Sequence, residues 1–421
     1  MSKSQTPFIV SVVGIGAGPQ DLTEAQRATV QQAEVLVGGK RQLSFFRDLS
    51  AETLEIDRNL DAVVEEIQKR MHRRRVVVLA SGDPLFYGIG ALLIRRLGRS
   101  RVRVLPNVTA AAAAFARIGE PWRQAAVVSL HGRSGQPALL TALREKPLVA
   151  VYTDPQNTPG QVARLLLERG VDDIDMCVCE DMGLPSETIR WMPPEQALHR
   201  VFSDLNVVLF RRRRPPSSTP PGQLGLPDDF FAHQQGLITK SEVRAVTLAR
   251  LALQPGQTLW DLGAGSGSVA LEAALLLRNG AVWAVEKDPV RVAHIQANRR
   301  KLRAWNVAVL QADLPGGLEK LPAPDRVFIG GGGRRLPDII AAAARRLPPD
   351  GILVVNVILL QSLQTARQVL AREGFSVDVT QLQVNRQRSM AGGVRLAAEN
   401  PVFILCARRK PGEEEEKAYA E

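Results

Sequence analysis

Thr258-Leu259-Trp260-Asp261-Leu262-Gly263-Ala264-Gly265-Ser266-Gly267-Ser268 decides how the second half of this chain is read. An apolar run ends in an aspartate, three glycines alternate with small residues, and an apolar stretch follows. The pattern predicts a strand over Thr258–Leu262, a sharp turn, and a helix over Val269–Leu277. Glycine at alternate positions removes the Cβ atoms that would obstruct such a turn, or a ligand lying against its backbone. The spacing is G-x-G-x-G, whereas pyrophosphate-binding loops use G-x-G-x-x-G.

Reading outward, Ala281–Glu286 is the next expected strand and ends in Glu286. In a doubly wound sheet, a carboxylate there accepts hydrogen bonds from ribose hydroxyls. A third strand, Ala308–Gln311, leads into Ala312-Asp313, where the aspartate can accept from an adenine amino group. A fourth, Arg326–Ile329, ends in Gly330-Gly331-Gly332-Gly333, a bare backbone rim. Strands at Ile352–Val357, Ser376–Leu382 and Val402–Ala407 complete seven, the last two joined by a loop. Helices are expected at Ser241–Leu251, Pro289–Leu302, Pro337–Leu347 and Leu363–Arg372.

The first half shows the same alternation of β-branched runs and helical patterns. Strands are expected at Ile9–Val13, Val76–Ala80, Val102–Leu105, Ala126–Leu130, Leu148–Tyr152, Asp175–Cys179 and Asn206–Phe210. Helices are expected at Leu22–Ala33, Leu60–His72, Ile89–Leu97, Thr109–Ile118, Ala138–Glu145 and Pro159–Glu168. Both halves therefore read as α/β with parallel sheets. Between them Arg211-Arg212-Arg213-Arg214-Pro215-Pro216-Ser217-Ser218-Thr219-Pro220-Pro221-Gly222-Gln223 has no apolar period, and its prolines deny backbone donors. The expected organisation is a domain over 1–210, a linker over 211–223, a domain over 224–410 and an acidic tail over 411–421.

Composition narrows the class. Of 421 residues, 45% are hydrophobic and 23% charged, which excludes a disordered, collagenous or coiled-coil chain. No apolar stretch approaches the ~18 residues of a membrane span, and Met1–Pro7 lacks the pattern of a secretory signal. Three cysteines cannot build a disulfide framework, so a cytoplasmic protein is expected. No metal-ligand spacing occurs. The net charge of +11 favours anionic partners: nucleic acid, acidic lipid or a polycarboxylate small molecule. The interleaved aromatic and basic residues of single-strand binders are not visible, so no nucleic acid is expected.

D-x-G-x-G-x-G, Glu286 and Asp313 stand in the order and spacing of class I S-adenosylmethionine-dependent methyltransferases, which this half resembles. The resemblance implies a Rossmann-like seven-stranded sheet. It also implies cofactor contacts from Asp261, Gly263, Ala264, Gly265, Ser266, Gly267, Glu286, Ala312 and Asp313. Segments Gly236-Leu237-Ile238-Thr239-Lys240-Ser241-Glu242-Val243-Arg244, Asn356–Leu360, Arg386–Ser389 and Glu399–Phe403 look like precorrin C15-methylating, decarboxylating enzymes. By that resemblance Thr239 closes over the cofactor, and Lys240, Glu242 and Arg244 face the cleft. The same residues also read as a helix start, with Thr239 or Ser241 as cap and Glu242 at the positive end.

In the first half, Val13-Gly14-Ile15-Gly16-Ala17-Gly18-Pro19 precedes four further segments: Ser81–Gly88, Pro106–Ala113, Thr153-Asp154-Pro155 and Glu180–Glu187. In this order they resemble the tetrapyrrole (corrin/porphyrin) methylase family, which implies a two-lobed αβα fold with the cofactor in its cleft. Gly16 and Gly18 would lie near the substrate mouth, with Gly82, Asp83, Pro84, Thr109 and Ala110 at the cofactor. His131 and Arg133 match the branch that methylates C5 of a precorrin. Two departures stand out: G-x-G-A-G-P replaces the commoner G-x-G-P-G, and Asn107 stands where many relatives have glycine.

Together the resemblances imply one S-adenosyl-L-methionine per domain and no metal. They imply methylation of a precorrin-6 macrocycle at C5 and C15, with loss of the C12 acetate carboxyl, giving precorrin-8X in cobalamin synthesis. Arg133, Lys240, Arg244, Arg388 and Arg395 would meet the carboxylates of this tetrapyrrole. A homo-oligomer, dimer or tetramer, is implied too. The competing readings are an RNA or protein methyltransferase, a dinucleotide oxidoreductase, and a non-catalytic tetrapyrrole-binding scaffold.

Overall fold

A computed structural model describes residues 8–56, 59–130, 135–213, 224–234 and 236–409. The chain divides into two compact units. The first is drawn from Met1–His131, Lys146–Ala163 and Ile174–Arg212, the second from Gly132–Glu145, Arg164–Asp173 and Arg213–Glu421.

The first unit carries two five-stranded sheets. One contains β1 (Val10–Gly14), β2 (Val35–Gly38), β3 (Glu52–Glu55), β4 (Val76–Ala80) and β5 (Val102–Leu105) in the order β3-β2-β4-β1-β5. All its neighbours are parallel. Its central strands are buried on both faces, as parallel strands under crossover helices must be. The second sheet contains β6 (Ala126–Ser129), β7 (Leu148–Tyr152), β8 (Ile174–Glu180), β9 (Thr188–Met192) and β10 (Asn206–Arg212), in the order β6-β7-β10-β8-β9.

Only β6 and β7 pair parallel there. β10 runs antiparallel to both β7 and β8, and β9 antiparallel to β8. The expectation of a parallel sheet fails here for a geometric reason: the connection from β8 to β9 is far shorter than the dozen residues of a crossover. Three strands were also absent from the sequence reading: β2, β3 and β9. β2 is a four-residue apolar run abutting a helix, and β3 (Glu-Thr-Leu-Glu) is an edge strand without an apolar face.

The loop after β1 depends on close backbone approach. A Cβ on Gly14 would lie 2.0 Å from the Gly82 carbonyl oxygen and 2.9 Å from the Asn107 nitrogen. Gly16 and Gly82 form an isolated bridge, both at positive φ (64° and 56°). Asn107, the departure noted above, donates from Nδ2 to the carbonyls of Gly14 (3.1 Å) and Asp21 (3.0 Å).

The second unit has a seven-stranded sheet built of β11 (Thr258–Leu262), β12 (Ala281–Glu286), β13 (Val307–Gln311), β14 (Arg326–Ile329), β15 (Ile352–Val357), β16 (Phe375–Leu382) and, beyond a hairpin, β19 (Val402–Arg409). The hairpin strands are β17 (Asn385–Met390) and β18 (Gly393–Ala398). The order β13-β12-β11-β14-β15-β19-β16 has β19 antiparallel to both neighbours and every other pair parallel. Alternate residues feed two cores. Leu259, Val282 and Val354 pack beneath Ser241–Leu251, Ser268–Leu276 and Pro289–Leu302. Trp260, Val285 and Val355 pack beneath Leu336–Ala344 and Leu360–Arg372. The hairpin is an addition to the simple loop expected. Its residues are mostly exposed, so no buried face marks it in sequence.

The strand order reverses between β11 and β14, so their carboxyl ends leave a crevice there, where doubly wound sheets bind ligands. Gly14→Ala is expected to destabilise the protein by about 1–3 kcal/mol, because a backbone oxygen must move to admit the methyl group. A urea unfolding midpoint at the wild-type value would show that the Gly14–Gly82 approach is looser than described.

Candidate functional site

Each unit presents a cavity at the carboxyl edge of a parallel sheet. In the second unit the turn after β11 places Gly263, Gly265 and Gly267 at φ 79°, 58° and 79°, in the left-handed region that disfavours side chains. Nothing lies within 4 Å of where a Cβ on Gly263 or Gly265 would sit, so the turn faces open space. The N–H groups of Gly263 and Ala264 both reach the Val285 carbonyl, at 2.9 and 3.0 Å.

Two carboxylates fasten this turn. Asp261 is fully buried, and its Oδ2 accepts the Ala270 N–H at 2.9 Å, in the first turn of the helix Ser268–Leu276. Its Oδ1 has no hydrogen-bond partner. Burial, with a smaller push from the charge of Glu286, raises this carboxyl to about 7 against the pull of the Ala270 bond. Glu286, at the end of β12, accepts the Gly265 N–H at 2.8 Å through Oε2, and the N–H groups of Lys287 and Asp288 at 3.0 and 3.1 Å through Oε1.

Two hollows flank the turn and share Gly263, Arg291 and Gly330. One, of about 500 Å³, is lined by Glu286, Ala312, Asp313 and the glycine rim Gly330–Gly333. Asp313 accepts a 2.9 Å bond from Arg335. The other, of about 510 Å³, is lined by Thr239, Lys240, Gly263, Ala264, Gly265 and Ser266 among others. Asp261 and Gly267 line neither: the first staples the helix, the second precedes its first turn.

Arg244 does not face a cleft. It is fully buried, with Nε 2.6 Å from Glu272 Oε1 and its other nitrogens donating to the carbonyls of Thr239 and Leu226. Its apolar neighbours enclose it and Glu272 neutralises it, so it holds the segment leading to the helix Ser241–Leu251. Glu242 is exposed near the start of that helix and accepts from Arg386 at 2.6 Å, outside the cavity wall. Glu242 stands in the first helical turn as the helix-start reading expects, but neither Thr239 nor Ser241 caps the helix: its N-cap is Lys240, with no side-chain cap bond. Lys240 does line the cavity, 3.7 Å from Asp228. Arg388 and Arg395 face one another across the exposed hairpin, Arg388 within 3.8 Å of Glu399.

In the first unit a cavity of about 570 Å³ opens where the loops after β1, β2 and β4 meet the ends of β6, β7 and β10. Gly16, Gly82, Asp83, Thr109 and Ala110 line it; Gly18 and Pro84 do not. Thr109 caps the helix Ala110–Ile118, accepting the Ala112 N–H at 3.1 Å. Asp21 accepts the Ala17 N–H at 2.8 Å, while Thr23 caps the helix Glu24–Gln31. His131 and Arg133 lie outside the described residues, as do most of the linker and all of the acidic tail.

Three lining residues carried no role in the sequence reading. Asn356 is buried in β15, with Nδ2 donating to Thr247 Oγ1 at 2.8 Å and Oδ1 without a partner. A lone amide in a β-branched run is the signal, since buried polar groups are the informative exceptions. Tyr152 presents its hydroxyl oxygen to the Ala111 N–H at 3.1 Å, and burial pushes its phenol up. Arg41 follows the overlooked strand β2.

Among the described residues no group of three or more His, Cys, Asp or Glu is placed to hold a metal, and no helix is long and apolar enough to cross a membrane.

Fold and family profiles together define a methyltransferase. Residues 10–197 match the family profile of tetrapyrrole (corrin/porphyrin) methylases, and residues 229–409 that of a precorrin methyltransferase domain. A precorrin-6Y C(5,15)-methyltransferase (decarboxylating) of Mycobacterium tuberculosis (strain CDC 1551 / Oshkosh) is 35% identical over 377 residues, 87% of this chain and 91% of that one. One of Sinorhizobium sp is 33% identical over 363 residues, 84% of this chain and 86% of its own. A crystal structure titled precorrin-6Y C5,15-methyltransferase from Geobacter metallireducens GS-15 aligns at 41% identity and TM-score 0.44, over 46% of this chain and all of that one. The chain belongs to the family of precorrin-6Y C(5,15)-methyltransferases (decarboxylating). Methyltransferases of this family use S-adenosyl-L-methionine.

Because the folded Asp261 holds its proton to higher pH than the unfolded residue, it favours the folded state below about pH 4, and that contribution is lost as pH rises to about 7. Asp261→Asn is expected to remove this slope, worth on the order of a few kcal/mol, and to leave the protein no less stable than wild type at pH 8. Parallel stability curves for the two proteins between pH 4 and pH 8 would contradict the shift.

Proposed function

We propose that the chain methylates a precorrin-6 macrocycle at C5 and C15 and removes the carboxyl of the C12 acetate, giving precorrin-8X in cobalamin synthesis. The first domain, over 1–210, carries the C5 step. The second, over 224–410, carries the C15 step and the decarboxylation, with 211–223 as linker and 411–421 as tail. The observation that carries the reading is the pair of glycine-turn cavities, one per unit, in a chain whose halves match two different methylase families.

The cofactor fits both places. The open turn over Gly263 and Gly265 admits a ligand against its backbone, with Glu286, Ala312 and Asp313 beside it. The first cavity offers Gly82, Asp83, Thr109 and Ala110 at its wall. When bound, S-adenosyl-L-methionine supplies an electrophilic methyl group. A meso carbon of a reduced tetrapyrrole is itself nucleophilic, so these residues need to orient and exclude water more than to abstract a proton. Thr239 and Lys240 line the second unit's other hollow, Thr239 closing over the cofactor and Lys240 facing the substrate. Asp228 holds Lys240 in place, and Arg386 approaches the same carboxylate oxygen at 3.4 Å.

The reading includes one cofactor per unit, no metal, and a cytoplasmic homo-oligomer, dimer or tetramer. Its substrate is a tetrapyrrole polycarboxylate rather than nucleic acid or membrane. The net charge of +11 suits such an anion.

Incubating the protein with S-adenosyl-L-methionine and reduced precorrin-6 should add two methyl groups and release one carbon dioxide, read by mass spectrometry. Glu286→Gln places an amide N–H against backbone donors. It should raise the cofactor KM of the C15 step about tenfold or more while leaving the C5 step at its wild-type rate. Loss of both steps together would contradict two independent sites, and no mass change with the cofactor bound would contradict the substrate.

A further inference from the structure

We propose that Arg41 forms a carboxylate-binding subsite in the wall of the first unit's cavity. That the anion is a carboxylate of the macrocycle or of the cofactor rests on the function proposed above.

Arg41 sits just beyond the carboxyl end of β2, in the short helix Lys40–Ser44. Gln42 fixes this corner: its Oε1 accepts the Gly39 N–H at 2.8 Å and its Nε2 donates to Ser81 Oγ at 3.1 Å. Phe45 lies under the guanidinium, 5.8 Å from its centre. The side chain is thus held at the wall and partly withdrawn from water.

It is also short of acceptors. A guanidinium has five N–H bonds. Those of Arg41 find one hydrogen bond among the described residues, from Nη2 to Ser81 Oγ at 3.4 Å, and Nη1 is buried without a partner. Burial lowers its pKa, and the charge of Asp181 is the opposing influence.

The surroundings select an anion. Arg41 is the one cation among the described residues lining this cavity. The carboxylates there, Asp21 and Asp83, are each taken by a backbone N–H at 2.8 Å, from Ala17 and Leu85. A planar guanidinium with free donors in a partly desolvated wall matches a carboxylate in two-point geometry, which a lysine would not reproduce. An acid arm of a tetrapyrrole and the amino-acid carboxylate of S-adenosyl-L-methionine share that chemistry.

The test is equilibrium binding to the full chain of uroporphyrin III, S-adenosylhomocysteine and 5′-methylthioadenosine, the last lacking the carboxylate. In Arg41→Gln, a roughly ten- to hundredfold loss for uroporphyrin III assigns the subsite to the macrocycle. The same loss for one class of S-adenosylhomocysteine sites, with 5′-methylthioadenosine unchanged, assigns it to the cofactor. Wild-type affinity for all three probes, in a variant that melts with the wild type, overturns the proposal. Should Arg41→Gln fail to fold, Arg41→Lys carries the same comparison with a smaller loss expected. Because binding is read directly, failure of the precorrin assay would remove the proposed substrate without deciding this subsite.

Discussion

The buried carboxylate of Asp261, gripping the Ala270 N–H, is the constraint on which the second unit's site rests. Three left-handed glycines in five residues are costly to order, and the turn's one polar side chain, Ser266, makes no hydrogen bond. Asp261 supplies the hold from beneath, joining the end of β11 to the start of the helix. Glu286 supplies it from the side through the Gly265 N–H. The first unit meets the same difficulty with an amide, Asn107 tying the carbonyls of Gly14 and Asp21 across the loop. In both units the loop at the cavity is bare backbone, and a polar side chain behind it keeps that backbone in place.

Much of the architecture was legible because the second unit's strands are short apolar runs between glycines and helices. β11, β12, β14 and β15 fall where the pattern puts them. The failures have physical causes. Periodicity reports burial but not strand direction, so the first unit's second sheet was expected to be parallel although β10 and β9 run the other way. The hairpin of β17 and β18 is exposed and leaves no apolar signature.

The site was legible to the same depth. Gly16, Gly82, Gly263, Gly265, Glu286 and Asp313 line cavities because their motifs are local in sequence. Arg244 was misread because a sequence shows that an arginine is present, not that Glu272, twenty-eight positions on, neutralises it out of water. Arg41 was overlooked for the converse reason: its importance comes from a strand too short to be recognised and from acceptors it lacks.

We propose that each unit holds its own cofactor. Isothermal titration of the full-length protein with S-adenosylhomocysteine measures this without reference to the macrocycle. Two equivalents bound per chain are predicted, and a single equivalent would contradict the claim.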